Sequence, residues 1–170
     1  MGFEDLFKKF VKVKFVRNLR YEPHIIETIK YINPESFDNI LVFYKEVDYL
    51  KSILLEHLSK ENIFECNVEN LDKCSFDVKF DCIIVFLCKN SANQNSIYEI
   101  INNVAEKRAN VFVVDYLLGN KLFNLALRFS DKISYQDIKQ QTLSVFEKNY
   151  RLTDELNSKK NNISIKKYSV

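Results

Sequence analysis

Along the chain, continuous apolar runs alternate with segments whose apolar positions recur every three or four residues. The first pattern fits a strand buried on both faces, the second an amphipathic helix. NILVFY (39–44), DCIIVFLC (81–88) and VFVVDY (111–116) are of the first kind. NIFECNV alternates at Phe64, Cys66 and Val68, like a strand with one wet face. Helical stripes run through EPHIIETIKYI (Ile25, Ile29, Ile32), DYLKSILLEHL (Leu50, Ile53, Leu54, Leu58) and SIYEIINNVAEKRA (Ile97, Ile100, Ile101, Val104). Pro23 is tolerated at a helix start and Asn33-Pro34 predicts a stop, while Ser96 and Glu99 have capping-box spacing. NKLFNLALRF reads as a short helix, KISY as a short strand, and YQDIKQQTLSVFEKNYRL as a final helix capped by Ser134.

Strands alternating with helices predict an α/β three-layer sandwich with a mostly parallel central sheet, flavodoxin-like or Rossmann-like, over residues 39–152. Within DCIIVFLC, Ile83, Val85 and Leu87 should pack under one helical layer, and Ile84, Phe86 and Cys88 under the other. Residues 1–38 form a basic N-terminal extension: a helix over GFEDLFKKF, then VKVKFV, then the helix ending at Ile32. Residues 10–16 alternate as a strand would, and also fit a continuation of the first helix. Residues 153–170 are polar and lysine-rich and read as a flexible tail.

With 170 residues, 46% of them hydrophobic and including 14 Phe and 9 Tyr, the body is a single folded domain rather than a disordered chain. No apolar run approaches the roughly 18 residues of a membrane-crossing helix. Lysines interrupt every apolar run near the N-terminus, so no signal peptide is expected. The expectation is a cytoplasmic protein whose four cysteines, Cys66, Cys74, Cys82 and Cys88, are reduced and structural. Their spacings do not match the close pairs of a zinc site, and no metal is expected.

The net charge of +2 conceals a segregated arrangement. Residues 1–20 carry Lys8, Lys9, Lys12, Lys14, Arg17 and Arg20 against Glu4 and Asp5, a net of +4. Residues 157–170 carry Lys159, Lys160, Lys166 and Lys167, again +4, which leaves −6 on the body between them. The two basic ends are candidate contacts for an anionic partner.

Ligands of open α/β sheets bind beyond the carboxyl ends of the strands. A turn that cradles phosphate there needs glycine, and the chain has only Gly2 and Gly119. The turn after the first central strand reads FYKEVDY, which argues against a dinucleotide fingerprint, a Walker loop or a standard S-adenosylmethionine site; no cofactor is expected. The polar residues at strand ends are Lys45, Glu46 and Asp48, then Lys89 and Asn90, then Asp115 and Tyr116. They would line one shallow cleft, or simply mark where loops meet water. His24 and His57 are the only histidines, and no nucleophile with a paired base stands out.

From Asn39 to about Leu152, the order NILVFYKEVDYLKSILLEHL, FDCIIVFLCKN, NVFVVDY and DKISYQDIKQQTLSVFEKNYRL resembles a response-regulator receiver domain. Tyr44 and Lys45 stand at the receiver's acidic pair, Phe86 at its phospho-acceptor, Asp115 at its threonine or serine, and about Tyr135 at its lysine. That resemblance therefore implies the scaffold without the phosphotransfer site. ENLDKCSFDVKFDCIIVFLCKN followed by a helix and ANVFVVDYLLGN is similar to the central part of class I methyltransferases. Their glycine-rich cofactor loop has no counterpart here, so this resemblance implies a degenerate relative.

The leading functional expectation is a non-catalytic protein–protein interaction module, an adaptor or structural component of a larger assembly. Its partners would be other proteins, a second copy of the chain included. Nucleic-acid or anionic-membrane binding through the basic ends is the second reading. A degenerate methyltransferase-like or otherwise atypical enzyme is the third, using Glu46, Asp48 and Asp115 with Lys45 or Lys89.

Overall fold

The structure is a computed structural model that describes residues 26–44, 62–86, 94–116, 145–158 and 163–170. The three runs that are apolar on both faces make the centre of the sheet. Strands β1 (Ile40–Tyr44), β3 (Phe80–Phe86) and β4 (Ala105–Tyr116) lie side by side in parallel. β2 (Ile63–Asn67) pairs in parallel with the outer side of β1. The last two strands, β5 (Arg151–Ser158) and β6 (Ile163–Ser169), pair antiparallel with each other, and β6 also pairs antiparallel with β4. The resulting order is β2-β1-β3-β4-β6-β5.

Helices cover both faces, as the strand pattern requires. On one face α1 (residues 26–32) sets Ile32, with Ile29 and Tyr31, over Ile40, Val42, Ile84, Phe86, Phe112 and Ile165. On the other, α2 (Gln94–Val104) and α3 (Val145–Asn149) set Ile97, Ile101 and Phe146 over Leu41, Phe43, Ile83, Val85, Val113 and Tyr168. The α/β sandwich predicted from the pattern is thus observed. Within β3 the alternation holds, with Ile83 and Val85 in one layer and Ile84 and Phe86 in the other. Leu87 and Cys88 lie outside the described residues.

Local signals account for several boundaries. Asn33 takes the left-handed conformation (φ 51°), ends α1 and hands the chain to a 3-10 turn, Pro34–Ser36. The Asp81 carboxylate accepts the backbone N–H groups of Asp38 and Asn39, both at 2.9 Å, and so ties the entrance of β1 to β3. α2 begins at Gln94, so Ser96 and Glu99 lie inside the helix and do not form its cap. The Gln94 Oε1 atom instead accepts the Val145 N–H at 3.3 Å and joins α2 to α3. Between α2 and the regular part of β4 the register jumps: Phe80 faces Ala105 but Cys82 faces Asn110, with Arg108 at φ 72°. The backbone of Val170 closes this bulge by bonding both Arg108 and Ala109.

The C-terminal segment departs from expectation. Instead of a flexible tail, residues 151–158 and 163–169 are strands, and Ile163, Ile165 and Tyr168 are buried in the core. The receiver likeness fails at the same place. A flavodoxin-like sheet continues in parallel beyond its fourth strand, whereas here an antiparallel strand occupies that position. The final helix expected from Tyr135 to Leu152 is described only at Val145–Asn149, and β5 starts at Arg151. The elements predicted for 2–16, 48–58, 120–129 and 132–135 lie outside the described residues.

Two outcomes test this packing. Phe86 is fully buried beneath α1. Replacing it with Asp should cost on the order of 3 kcal/mol or more in urea unfolding, since it removes aromatic packing and buries a charge. A chain ending at residue 158 should lose cooperative unfolding. It gives up three large core side chains, at roughly 2–5 kcal/mol each, against a total stability of about 5–15 kcal/mol. An unchanged melting temperature would mean that β6 contributes nothing to the core.

Candidate functional site

Parallel pairing brings the carboxyl ends of β1, β2 and β3 to one rim. Tyr44 stands in register with Asn67 on one side and Phe86 on the other. Side chains alternate along a strand, so Tyr44 shares a face with Val42 and, across β2, with Glu65 and Asn67. The Tyr44 hydroxyl donates to Glu65 Oε2 at 3.2 Å. A half-buried carboxylate is thereby held on the edge of the rim.

The chain leaving β2 stays close to this pair. The Val68 N–H donates to the Tyr44 carbonyl at 2.9 Å, and Asn67 Oδ1 accepts the Glu69 N–H at 2.9 Å. A 3-10 turn follows at Leu71–Lys73, and Cys74 returns to form a disulfide with Cys66, their Cα atoms 5.6 Å apart. This corrects the expectation that all four cysteines are reduced. The turn folds back onto the strand it left and so brings two sulfurs eight residues apart into contact. Cys82 is a fully buried thiol, and Cys88 lies outside the described residues.

Of the strand-end residues singled out in the sequence, Asp115 is half-buried on β4 opposite Ser164, and Tyr116 is the last residue of β4. Asp115 falls on the face of Val111 and Val113, whereas Tyr44 and Glu65 fall on that of Val42. Those two sets therefore face different layers and do not converge. Lys45, Glu46, Asp48, Lys89 and Asn90 lie outside the described residues, as do His24, His57, Lys8, Lys9, Lys12, Lys14, Arg17, Arg20, Lys159 and Lys160. Lys166 and Lys167 are engaged within the fold: Lys166 pairs with Glu147, and the Lys167 ammonium stands 5.7 Å from the centre of the Phe112 ring. Sequence reasoning passed over Tyr44, Glu65 and Asn67. The alternation of NIFECNV, which turns Glu65 away from the Phe64 and Cys66 face, carried the signal.

The displaced titrations lie elsewhere. Burial, followed by the nearby Tyr98, pushes the Tyr150 phenol well above its ordinary range; its hydroxyl donates to Asn102 Oδ1 at 2.8 Å. Burial, followed by the Asp154 carboxylate, does the same to Tyr31. Among the described residues the Tyr31 hydroxyl has no acceptor within 3.5 Å, and Asp154 is the carboxylate that acts on it. Asp154 is lowered, first by Tyr31 and then by the Glu155 N–H on its Oδ1. Among the described residues, no group of three or more His, Cys, Asp or Glu side chains could hold a metal ion.

Solved structures of methyltransferases share the fold of this chain. The chain is similar to the N-methyltransferase NodS from Bradyrhizobium japonicum WM9, at 8% identity and a TM-score of 0.51 over 94% of this chain and 98% of that one. It is similar to the plantazolicin methyltransferase BpumL, solved with a triazolic desmethylPZN analogue and S-adenosylhomocysteine, at 10% identity and a TM-score of 0.53 over 98% of this chain and 95% of that one. For the S-adenosylmethionine-dependent methyltransferase SibL the values are 6% and 0.56, over 91% of this chain and 56% of that one. No protein-family model and no curated protein matches the sequence.

At these identities the likeness is one of fold. It supports the class I methyltransferase resemblance and leaves the receiver resemblance without support. It also counts against the leading expectation of a non-catalytic, pseudo-receiver adaptor, because the solved structures that share this fold across the chain are methyltransferases.

The Tyr44–Glu65 bond is testable on its own. Tyr44→Phe should lower stability by about 1 kcal/mol, the net worth of one hydrogen bond, in chemical denaturation. Glu65→Gln, which keeps an acceptor, should lower it less. Equal stability of parent and Tyr44→Phe would mean that the bond does not form.

Proposed function

We propose that the protein is an S-adenosylmethionine-dependent methyltransferase whose methyl donor sits at the carboxyl ends of β1 and β2. The observation that carries this reading is the sheet order, with β6 antiparallel between β4 and β5, on a scaffold that aligns with NodS and BpumL over nearly their whole lengths. Such a donor, when bound, supplies a sulfonium methyl group to a nucleophile and leaves as the thioether.

The residues on the rim suit the adenosyl part of that donor. Glu65 offers a carboxylate to the vicinal diol of a ribose, the role that an acid on the second strand plays in dinucleotide folds. Tyr44 holds that carboxylate in place. The glycine-poor turn after β1 is a weaker objection than the sequence alone suggested. The glycine-rich cofactor loop of class I methyltransferases has no counterpart here, so the adenosyl contacts would come from side chains rather than from a closely approaching backbone.

A cytoplasmic location belongs to this reading, and the described helices include none long and apolar enough to cross a membrane.

Calorimetry with S-adenosylmethionine and S-adenosylhomocysteine is the direct test. Saturable binding at micromolar concentrations is expected, with Glu65→Ala weakening it by about tenfold, or roughly 1.4 kcal/mol. No saturable heat up to about 1 mM with either compound, which corresponds to less than roughly 4 kcal/mol of binding, would end the proposal.

A further inference from the structure

We propose that the Cys66–Cys74 disulfide is a reversible latch that sets the shape of the donor-site rim according to the redox state around the protein. The proposal rests on the donor site placed above. Cys66 is the penultimate residue of β2 and almost fully buried, whereas Cys74 follows the 3-10 turn and is half-buried. The bond between them encloses Asn67 and Val68, and these are the residues that touch the end of β1: Asn67 faces Tyr44 in register, and Val68 donates to its carbonyl. A change in the turn therefore reaches Tyr44 through one backbone hydrogen bond and one ladder position.

The chain on either side is held independently. Upstream, β2 is paired with β1 from Ile63 to Asn67. Downstream, Phe76 sits edge-on against Phe64 and Phe80, with ring centres 6.3 and 5.3 Å apart. Between these anchors, the turn is closed mainly by short-range bonds: Asn70 N–H to the Asn67 carbonyl, Lys73 N–H to Asn70, and Cys74 N–H to Leu71, each at 3.0 Å. Opening the disulfide frees residues 68–74 and leaves the sheet in place.

The chemistry is thiol–disulfide exchange with a dithiol reductant. Its thiolate attacks Cys74 Sγ, the more accessible sulfur, and forms a mixed disulfide while the Cys66 sulfur leaves as a thiolate and takes a proton. The second thiol of the reductant then attacks its partner sulfur and releases Cys74 as a thiol. Two electrons pass to the protein, and the reductant becomes a cyclic disulfide. In a reducing compartment, disulfides that form are for the most part transient and serve catalysis or sensing, which suits a bond with one reachable sulfur at a ligand site.

The test uses the full chain, oxidised and then treated with dithiothreitol. Reduction should add about 2 Da and speed amide exchange at residues 67–74 by about tenfold or more, with β1 and β3 unchanged. S-adenosylhomocysteine should bind the reduced form about tenfold more weakly, and reoxidation should restore it. Cys74→Ser should behave like the reduced parent and be indifferent to dithiothreitol. Faster exchange with no binding to either form would support the latch and sink the donor site. Equal binding to both forms, or unchanged exchange after the mass confirms reduction, would overturn the latch and leave the donor site standing. Oxidised protein whose mass shows no bond would also overturn it.

Discussion

The antiparallel insertion of β6 between β4 and β5 is the constraint on which the rest of this structure depends. Four parallel strands alone would leave the outer edge of β4 open. β6 closes it over seven residues, from Asn110–Ser169 to Tyr116–Ile163. Its alternation feeds both layers at once, with Ile163 and Ile165 joining the α1 side and Tyr168 the α2 side. The chain end is used as well, since Val170 seals the bulge around Arg108. That bulge is where α2 gives way to β4, so the hairpin also sets how α2 meets the sheet. The outermost strand, β5, then carries Arg151, Asp154 and Glu155 and a register shift, features that discourage further pairing along an edge.

The centre of the fold was legible in the sequence because its strands are apolar on both faces, and such runs have few other uses in a chain this size. The hairpin was not legible, for a physical reason. ISIKKYS sends Ile163, Ile165 and Lys167 to one face and Ser164, Lys166 and Tyr168 to the other. Both lysines have partners that let a charge end a half-buried stem: Glu147 for Lys166 and the Phe112 ring for Lys167. Without knowledge of those partners, two adjacent lysines read as solvent exposure. β5 depends on its neighbour even more, since Leu156 is the residue of that strand that packs against the core.

The rim was legible only in part. Attention to polar residues beyond the apolar blocks passed over Tyr44, which closes one. Its ring is nearly buried, yet its hydroxyl reaches the Glu65 carboxylate one strand away. That pairing depends on the β1–β2 register, and register is not written in either strand alone. The disulfide was hidden in the same way. A spacing of eight residues between Cys66 and Cys74 says nothing until the 3-10 turn folds one back on the other.

The glycine count bears on phosphate more directly than on the proposed donor, and the reason lies in what glycine does. A backbone that approaches an anion closely must shed its Cβ atoms, so a chain with two glycines is a poor holder of pyrophosphate. An adenosyl group can also be held by side chains. A cofactor with a ribose, an amino acid and a sulfonium centre asks for carboxylates and hydrogen-bond donors, which side chains supply without positive φ. In the proposed site Glu65, hydrogen-bonded by the phenol of Tyr44, would meet the first of these needs. A bulky residue at the end of β1 is therefore compatible with a binding site, provided that its side chain spans the neighbouring strand rather than filling the space above its own.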